Sequence, residues 1–354
     1  MTNNKNMIKA IAAMSGGVDS SVCAYLLQRH GCTVTGVTLR LIDNGNSGEN
    51  EDAKHVCDRL GIAHMTIDFV NEFRENVIDR FCSAYLSGYT PNPCVECNKY
   101  IKFDKMLECT ESMGCDIFAT GHYARIERSG SGRYLLKKAA DASKDQSYFL
   151  YSLSQHQLSY VRFPLGGLTK AEVREIAEAQ GFKNAKKRDS QDICFIPDGD
   201  FAGFIKQYKE LDPLPGSFID SNGNILGSHN GAYMFTVGQR KGLGIALGKP
   251  AYVLGTDTAA NTVTLGDNAE LFNQRLEADE LNFIAADRLT EPVRVEAKIR
   301  YSHRTAPATA VQTDDDRLIV IFDEPQRAIT PGQSVVLYDG DTVIGGGKVK
   351  RAFD

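Results

Sequence analysis

The sequence predicts an α/β fold: a doubly wound parallel sheet, followed by a small central domain and a C-terminal antiparallel β-barrel. Three observations carry that expectation. Short, β-branched, apolar runs alternate with helical patterns through the first half of the chain. A glycine-rich loop stands where the first run gives way to the first helix, the place where open α/β sheets bind ligands. From "LDPLPGSFIDSNGN" (211–224) onward, turn signals recur about every 8–12 residues between short alternating segments.

In chain order, "IKAIAAM" (8–14) and "TVTGVTL" (33–39) read as buried parallel strands. Between them, Asp19 to His30 places Val22, Leu26 and Leu27 on one helical face and stops at Gly31, a natural residue just past a helix end. "HMTIDFV" (64–70) and "CDIFATG" (115–121) read as further strands, each preceded by a helical segment. Later, "AYVLGTD", "TVTLGD", "VRVEAKIRY", "RLIVIF" and "SVVLYDG" alternate as antiparallel strands do. A chain of 354 residues is long for one core, and the texture divides it into domains at 1–205, 206–275 and 276–354.

Composition sets outer bounds on function. Charged residues at 24% and hydrophobic ones at 42% describe an ordinary soluble globular protein. No apolar run reaches the roughly 18 residues of a membrane span, and "MTNNKNMIKA" lacks the apolar region of a secretory signal. Nine cysteines, all before residue 195, read as reduced thiols of a cytoplasmic protein rather than a disulfide framework. A formal net charge of −5 argues against a purely electrostatic nucleic-acid binder, while leaving room for a local basic patch.

Three stretches carry chemistry. In "SGGVDSS" (15–21), Gly16 and Gly17 let the backbone approach an anion, and Ser20 and Ser21 fall in a first helical turn, whose N–H groups and dipole favour phosphate. A plain turn capped by Asp19 or Ser20 is the alternative; the paired serines behind the aspartate favour a phosphate cradle. The loop has no lysine, so it is not a Walker A loop. "GLGIALG" (242–248) misses the dinucleotide spacing and reads as a turn.

In "TPNPCVECNKYIKF" (90–103), Pro91 and Pro93 stiffen the backbone around Asn92, and Cys94 and Cys97 precede a helix bearing Tyr100, Phe103 and Leu107. A thiol at a helix N-terminus has a lowered pKa and becomes a better nucleophile. A zinc half-site or two packing cysteines are the other readings, although no second C-x-x-C or H-x₃-H pair completes four ligands. In "KKRDSQDICFI" (186–196), Cys194 between Ile193 and Phe195 would by itself be a buried core cysteine. Lys186, Lys187 and Arg188 form one basic cluster, and Lys99, Lys102 and Lys105 recur every third residue. A solvated face and phosphate contact both remain open for them.

"SGGVDSS" resembles the pyrophosphate loop of ATP pyrophosphatases, which adenylate an oxygen atom and then let a nucleophile displace AMP. Together with "TPNPCVECNKYIKF", "ATGHYAR" (119–125), "KDQSYFL" (144–150), "FPLG" (163–166), "DSQDICFI" (189–196), "TVGQRKGLGI" (236–245), "IRYSHRTAPA" (299–308) and "TPGQSVVLYDG" (330–340), it makes nearly the whole chain resemble the tRNA-specific 2-thiouridylases. The resemblance implies an ATP-pyrophosphatase first domain and sulfur insertion at carbon 2 of the wobble uridine of tRNA. It places ATP, with Mg2+, on Ala13, Met14, Ser15, Gly16, Gly17, Val18, Asp19 and Ser20, with Leu39 and Gly121 near the adenosine. Cys97 would be the catalytic thiol and Cys194 the persulfide carrier, joined afterwards as a disulfide. Asn92, Pro93 and Cys94 would meet the target base. His122, Lys144, Asp145, Gln146, Arg300, Tyr301 and Gln333 match positions that touch tRNA, though His122 could equally be a satisfied histidine at a strand end. A cysteine desulfurase or relay protein would supply sulfur; no metal ligand set is assigned.

One position departs from a common form of the motif, which has aspartate where this chain has Cys94. A thiol with a reference pKa of about 8.5 serves less readily as an acid or base. The departure opens an alternative in which Cys94, Cys97 and Cys194 hold an iron–sulfur cluster with one open iron. Two further readings are a nitrogen-installing ATP pyrophosphatase, which would need a glutaminase or ammonia route, and a non-enzymatic tRNA-binding sulfur relay.

Overall fold

The apolar runs of the first half assemble into one five-stranded parallel sheet in the computed structural model, which describes residues 7–43, 47–187, 193–212 and 214–354. Its strands are β1 (Lys9–Ala13), β2 (Thr33–Arg40), β3 (Ala63–Asp68), β4 (Ile117–Ala119) and, after a hairpin of β5 (Arg125–Arg128) and β6 (Tyr134–Lys137), β7 (Val161–Arg162). The order is β3-β2-β1-β4-β7, every neighbouring pair being parallel. The chain steps from β1 out to β3 and then crosses back to β4 on the other side of β1. The carboxyl ends of β1 and β4 therefore form the switch point at which such sheets open a ligand crevice.

These elements belong to the first of two compact units, Met1–Val77 with Cys94–Gln191 and Asp341–Val343. Ala10, Ile11 and Ala12 of β1 are all buried, as a strand covered on both faces must be. The helix Val18–Arg29 packs Val22, Cys23, Ala24 and Leu27 into that core and ends before Gly31, whose φ of +81° is the left-handed conformation that glycine adopts without penalty. The helix Lys170–Ala179 adds Val173 and Ala177 to the same core. Its start is set by a capping box, in which Thr169 Oγ1 accepts from Glu172 N and the Glu172 carboxylate accepts from Thr169 N.

The second unit comprises Ile78–Pro93, Asp192–Gly340 and Ile344–Asp354. Aromatic contacts pin its helices: Tyr85 stacks on Phe201 at 4.6 Å, and Phe195 meets the edge of Phe81 at 5.4 Å. A four-stranded sheet of β8 (Gly216–Ile219), β9 (Ile225–His229), β10 (Tyr252–Asp257) and β11 (Thr262–Gly266) runs in the order β10-β11-β8-β9 over Phe218, Phe235, Val253 and Val263. The barrel follows as β12 (Phe272–Phe283), β13 (Val293–Lys298), β14 (Ala306–Asp314), β15 (Arg317–Arg327), β16 (Ser334–Asp339) and β17 (Thr342–Phe353). The order β12-β15-β14-β13-β16-β17 is closed by pairing of β12 with β17, so none of the six strands is left as an open edge. Alternate residues such as Leu318, Val320 and Phe322 fill the interior. The "GLGIALG" stretch forms neither strand nor helix, and Gly242, Gly244 and Gly248 lie at φ of +74°, +70° and +72°.

Gly36 in β2 marks the closest packing in the parallel sheet. A Cβ there would stand 2.5 Å from Cys57 Sγ and 3.2 Å from Met14 Cγ. Gly36→Ala should destabilise the protein by about 1–3 kcal/mol, and Cys57→Ala in the same chain should recover part of the loss by vacating that volume. Urea denaturation of the two single variants and the double variant measures the coupling; strictly additive losses would place the strain elsewhere.

Candidate functional site

The phosphate loop is held from inside by its own hydroxyl groups. Ser20 Oγ and Ser21 Oγ each donate to Gly17 O at 2.9 Å, while Ser15 N and Ser15 Oγ turn onto Ser20 Oγ at 3.2 and 3.3 Å. The first intrahelical donor is Ser21 N, bonded to Gly17 O. The N–H groups that precede it are the helix's unpaired donors, and the dipole adds positive potential at that end. Gly16 takes a φ of +72°, which the turn from strand to helix requires. Ser20 and Ser21 thus shape the loop with their hydroxyls and leave anion binding to the backbone.

The loop lacks a lysine, and the fold supplies one. Lys170 Nζ lies 2.8 Å from both carboxylate oxygens of Asp19, and Tyr123 OH donates to Asp19 Oδ1 at 2.8 Å. Lys170 is buried. A doubly bonded ion pair whose lysine is shielded from water holds its geometry better than a fully exposed pair. The ammonium is delivered to the first helical turn, where a phosphate cradle gains most from a cation. Sequence reading missed both Lys170 and Tyr123. The signal for Lys170 was the T-x-x-E box of Thr169 and Glu172, which puts Lys170 at a helix start; nothing local to Tyr123 marked it.

Other expected ATP positions surround this loop. Ala13 ends β1, the buried Met14 extends its pairing through Met14 N to Val37 O at 2.8 Å, and Leu39 lies half-buried near the end of β2. Gly121 comes so close to the helix start that a Cβ there would stand 2.8 Å from Asp19 C and 2.9 Å from Ser20 N. Next to it, His122 is bonded to Thr120 Oγ1 at 2.8 Å and packed between Phe103 and Phe163. Burial, with a further push from Lys102, drives its pKa down to about 3, so the ring is neutral at physiological pH.

Asp145 and Gln146 are occupied by the protein's own backbone. Asp145 Oδ1 accepts from Ala139 N and Ser147 N, and Gln146 Oε1 accepts from Tyr123 N at 2.9 Å. Their neighbour Lys144 closes a turn through its N–H to Asp141 O. In the basic clusters, Lys105 is paired with Glu108 at 2.8 Å and Lys187 with Asp52 at 3.1 Å, as solvated side chains are. Arg188 lies outside the described residues, as do Asp189, Ser190, Gln191 and Asp192 of "DSQDICFI".

The thiols sit differently from the sequence expectation. Pro93–Cys97 is a five-residue helix that passes straight into a π-helical turn, Asn98–Lys102. Cys97 is therefore at the end of a helical segment, not at an N-terminus, and it is buried. Cys94 is in the first turn but does not gain acidity there. Solvent reaches its side chain, yet the protein atoms crowding it raise the thiol pKa, and Lys102 offsets this only in part. The buried Asn98 ties the segment down by donating from Nδ2 to Phe149 O at 3.0 Å. π-Helical turns of this type recur at functional sites.

Cys194, which by its neighbours would be buried, is exposed. The burial falls instead on Phe195, edge-on to Phe81, and on Ile196, whose N–H closes a turn onto Ile193 O at 2.8 Å. That turn rolls the thiol outward. In the same unit, Gln333 Nε2 donates to Thr90 O at 2.9 Å and to Pro91 O at 3.3 Å, and Thr90 N donates to Pro331 O at 2.8 Å. Arg300 Nη2 is bonded to Val237 O, Ala328 O and Thr330 Oγ1, so it clamps loops. Tyr301 is exposed, with Lys298 Nζ 5.3 Å from its ring centre.

Among the described residues, no group of three or more His, Cys, Asp or Glu side chains is arranged to hold a metal ion. The ligand set of the iron–sulfur alternative is divided between the two compact units, Cys94 and Cys97 belonging to the first and Cys194 to the second, and the Cys97–Cys194 pair of the persulfide reading is divided in the same way, so this division favours neither route.

Comparison with known proteins extends these observations. Residues 8–198 match a family model described as the tRNA methyl transferase HUP domain, 202–267 the tRNA methyl transferase PRC-barrel domain, and 273–349 the aminomethyltransferase beta-barrel domain. A tRNA-specific 2-thiouridylase MnmA of Clostridioides difficile is 48% identical over 356 residues, covering 98% of this chain and 99% of that protein. Those of Lachnoclostridium phytofermentans and Geotalea uraniireducens are 47% and 44% identical, covering 97% and 100% of this chain and 99% and 98% of theirs.

Two outcomes are expected from this geometry. Lys170→Met should weaken ATP binding about 10-fold or more, by removing the cation and leaving Asp19 half-compensated, while Lys170→Arg should lose less. Titration calorimetry with ATP measures both. The second concerns acid. His122 takes a proton in the unfolded chain below its ordinary pKa of 6.5 but in the folded protein only near 3. Between those values the unfolded state binds more protons, so stability should fall as pH falls through that window. His122→Gln should flatten that slope in urea titrations at pH 7, 5 and 4.

Proposed function

The chain belongs to the tRNA-specific 2-thiouridylases, and from that premise we propose that it replaces the C2 oxygen of the wobble uridine of tRNA with sulfur at the expense of ATP. The observation that carries this reading is one compact unit holding both a lysine-free phosphate loop, completed by Lys170, and the Cys94–Cys97 segment. A pyrophosphate loop suits adenylation of a carbonyl oxygen. A methyl-transfer reading, suggested by the names of the matched models, has no use for one.

The chemistry divides into two displacements. The C2 oxygen of uridine attacks the α-phosphorus of ATP, and pyrophosphate leaves, drawn by the unpaired N–H groups before Ser21 and the Lys170 ammonium. Mg2+ would accompany the phosphates and neutralise part of their charge. The C2 oxygen, a poor leaving group as a carbonyl, now departs within AMP. The terminal sulfur of a Cys194 persulfide attacks C2 and expels AMP. Cys97 thiolate then attacks Cys194 Sγ, which breaks the sulfur–sulfur bond to the base, releases 2-thiouridine and leaves a Cys97–Cys194 disulfide. That bond requires the two Cα atoms to come within about 7 Å, and a thiol reductant restores both cysteines. The exposure of Cys194 supports its loading by a sulfur-donor protein, a cysteine desulfurase or a relay.

Residue roles follow the same reading. The segment from Ala13 to Ser20, with Leu39 and Gly121, would hold ATP. Asn92, Pro93 and Cys94 would meet the flipped-out base, on a backbone braced at Thr90 and Pro91 by Gln333. Tyr301 with Lys298 offers a stacking face and a cation to RNA. His122, Asp145, Gln146 and Arg300 would act by holding the surfaces that RNA meets, and Lys144 by contacting phosphate. The functional modules we assign remain 1–205, 206–275 and 276–354, a division supported by the separate spans of the three matched models.

Nucleoside mass spectrometry tests the reading directly. Substrate tRNA incubated with the protein, ATP, magnesium, a cysteine desulfurase with cysteine as persulfide donor and a thiol reductant should yield 2-thiouridine at the wobble position, with one AMP formed per sulfur inserted. Cys97→Ala and Cys194→Ala should each abolish the product in a persulfide-dependent assay while leaving the ATP dissociation constant nearly unchanged. AMP formation without thiolated uridine in the unaltered protein would refute the assignment of the acceptor.

A further inference from the structure

Asn184, far along the chain from the phosphate loop, reaches into it. The residue is buried in the short turn Lys183–Lys186. Its Nδ2 donates to Gly16 O at 3.0 Å and to Ser21 Oγ at 2.9 Å. Ser21 Oγ spends its own hydrogen on Gly17 O, and Gly16 O can only accept, so both partners demand the amide nitrogen and the orientation of the side chain is settled. The other half of the amide gains nothing: Asn184 Oδ1 is buried without a hydrogen-bond partner. A buried amide oxygen left unpaired is unfavourable, so an asparagine here is explained by its two hydrogens rather than by packing.

Those hydrogens act on the most easily turned peptide of the loop. Gly16 and Gly17 carry no Cβ, Gly16 stands at a φ of +72°, and the peptide between them can flip with little steric resistance. In a trans peptide the C=O of Gly16 and the N–H of Gly17 point to opposite sides. Holding the Gly16 carbonyl against Asn184 therefore aims the Gly17 N–H away from the protein interior. The second hydrogen fixes Ser21 Oγ, which in turn holds Gly17 O and so the direction of the Val18 N–H.

We infer that Asn184 is a positioning residue that locks the Gly16–Gly17 peptide with its N–H turned toward the phosphates of ATP. The inference rests on the ATP-dependent reading above. It requires that loss of the two hydrogens weaken binding of phosphate and spare binding of the nucleoside.

The experiment compares Asn184→Leu and Asn184→Asp with the unaltered full chain, using titration calorimetry with ATP and with adenosine, and thermal unfolding alongside. Both variants should raise the ATP dissociation constant about 10-fold or more while leaving that for adenosine within about two-fold. Asn184→Asp keeps the shape but sets a carboxylate against the Gly16 carbonyl, so its loss should be at least as large as that of leucine. A role limited to packing predicts the smaller loss for aspartate. Asn184→Ala replaces the leucine variant should that one fail to fold. ATP binding within two-fold of the unaltered protein in the leucine or alanine variant would overturn the inference, as would equal losses for ATP and adenosine. An unaltered protein that binds adenosine and ATP equally would overturn the ATP reading itself.

Discussion

Asp19 and Lys170 stand 151 residues apart in the chain and 2.8 Å apart in the fold, and the arrangement around the switch point depends on their meeting. The pair joins the start of the helix after β1 to the start of the helix that follows Thr169. Tyr123 adds its hydroxyl to the same carboxylate, which ties in the segment after β4. The Lys170 ammonium is largely withdrawn from water while Asp19 stays part-exposed, so the lysine depends on its carboxylate partner more than the carboxylate depends on it. The capping box at Thr169 sets where the second helix starts, and the missing side chain at Gly121 lets the segment after β4 approach the start of the first.

Around that pair the polar groups of the loop are consumed on the inner side. The hydroxyls of Ser15, Ser20 and Ser21 bond within the loop, and Asn184 draws in the Gly16 carbonyl. The outer side is left to backbone N–H groups, which bind an anion without changing protonation. Such a cradle is preorganised: its donors need not be ordered when pyrophosphate forms.

Three cysteines in three settings make a second theme. Cys97 is buried at the junction of a short helix and a π-helical turn, Cys94 is solvent-touched but crowded, and Cys194 is rolled outward by the burial of Phe195 and Ile196. Crowding by protein atoms rather than helix position governs the Cys94 thiol, since one short turn of helix offers little dipole to oppose it. Within the second unit, Gln333 braces Thr90 and Pro91, the residues that shortly precede Cys94 in the chain.

The parallel sheet, the glycine loop, the helix ending at Gly31 and the barrel strands were legible in the sequence, because each is written in local terms: runs of β-branched residues, a glycine at a helix end, apolar alternation. Motif order along the chain likewise identified the family. What the sequence left undetermined is what depends on contacts between distant segments. The lysine of a lysine-free loop, the amide of Asn184, the outward turn of Cys194 and the backbone duties of Asp145, Gln146 and Gln333 are set by which side chains the topology brings within hydrogen-bond reach. A residue's local pattern reports how its own segment folds. Its charge partner and its burial are decided by the other segments packed against it.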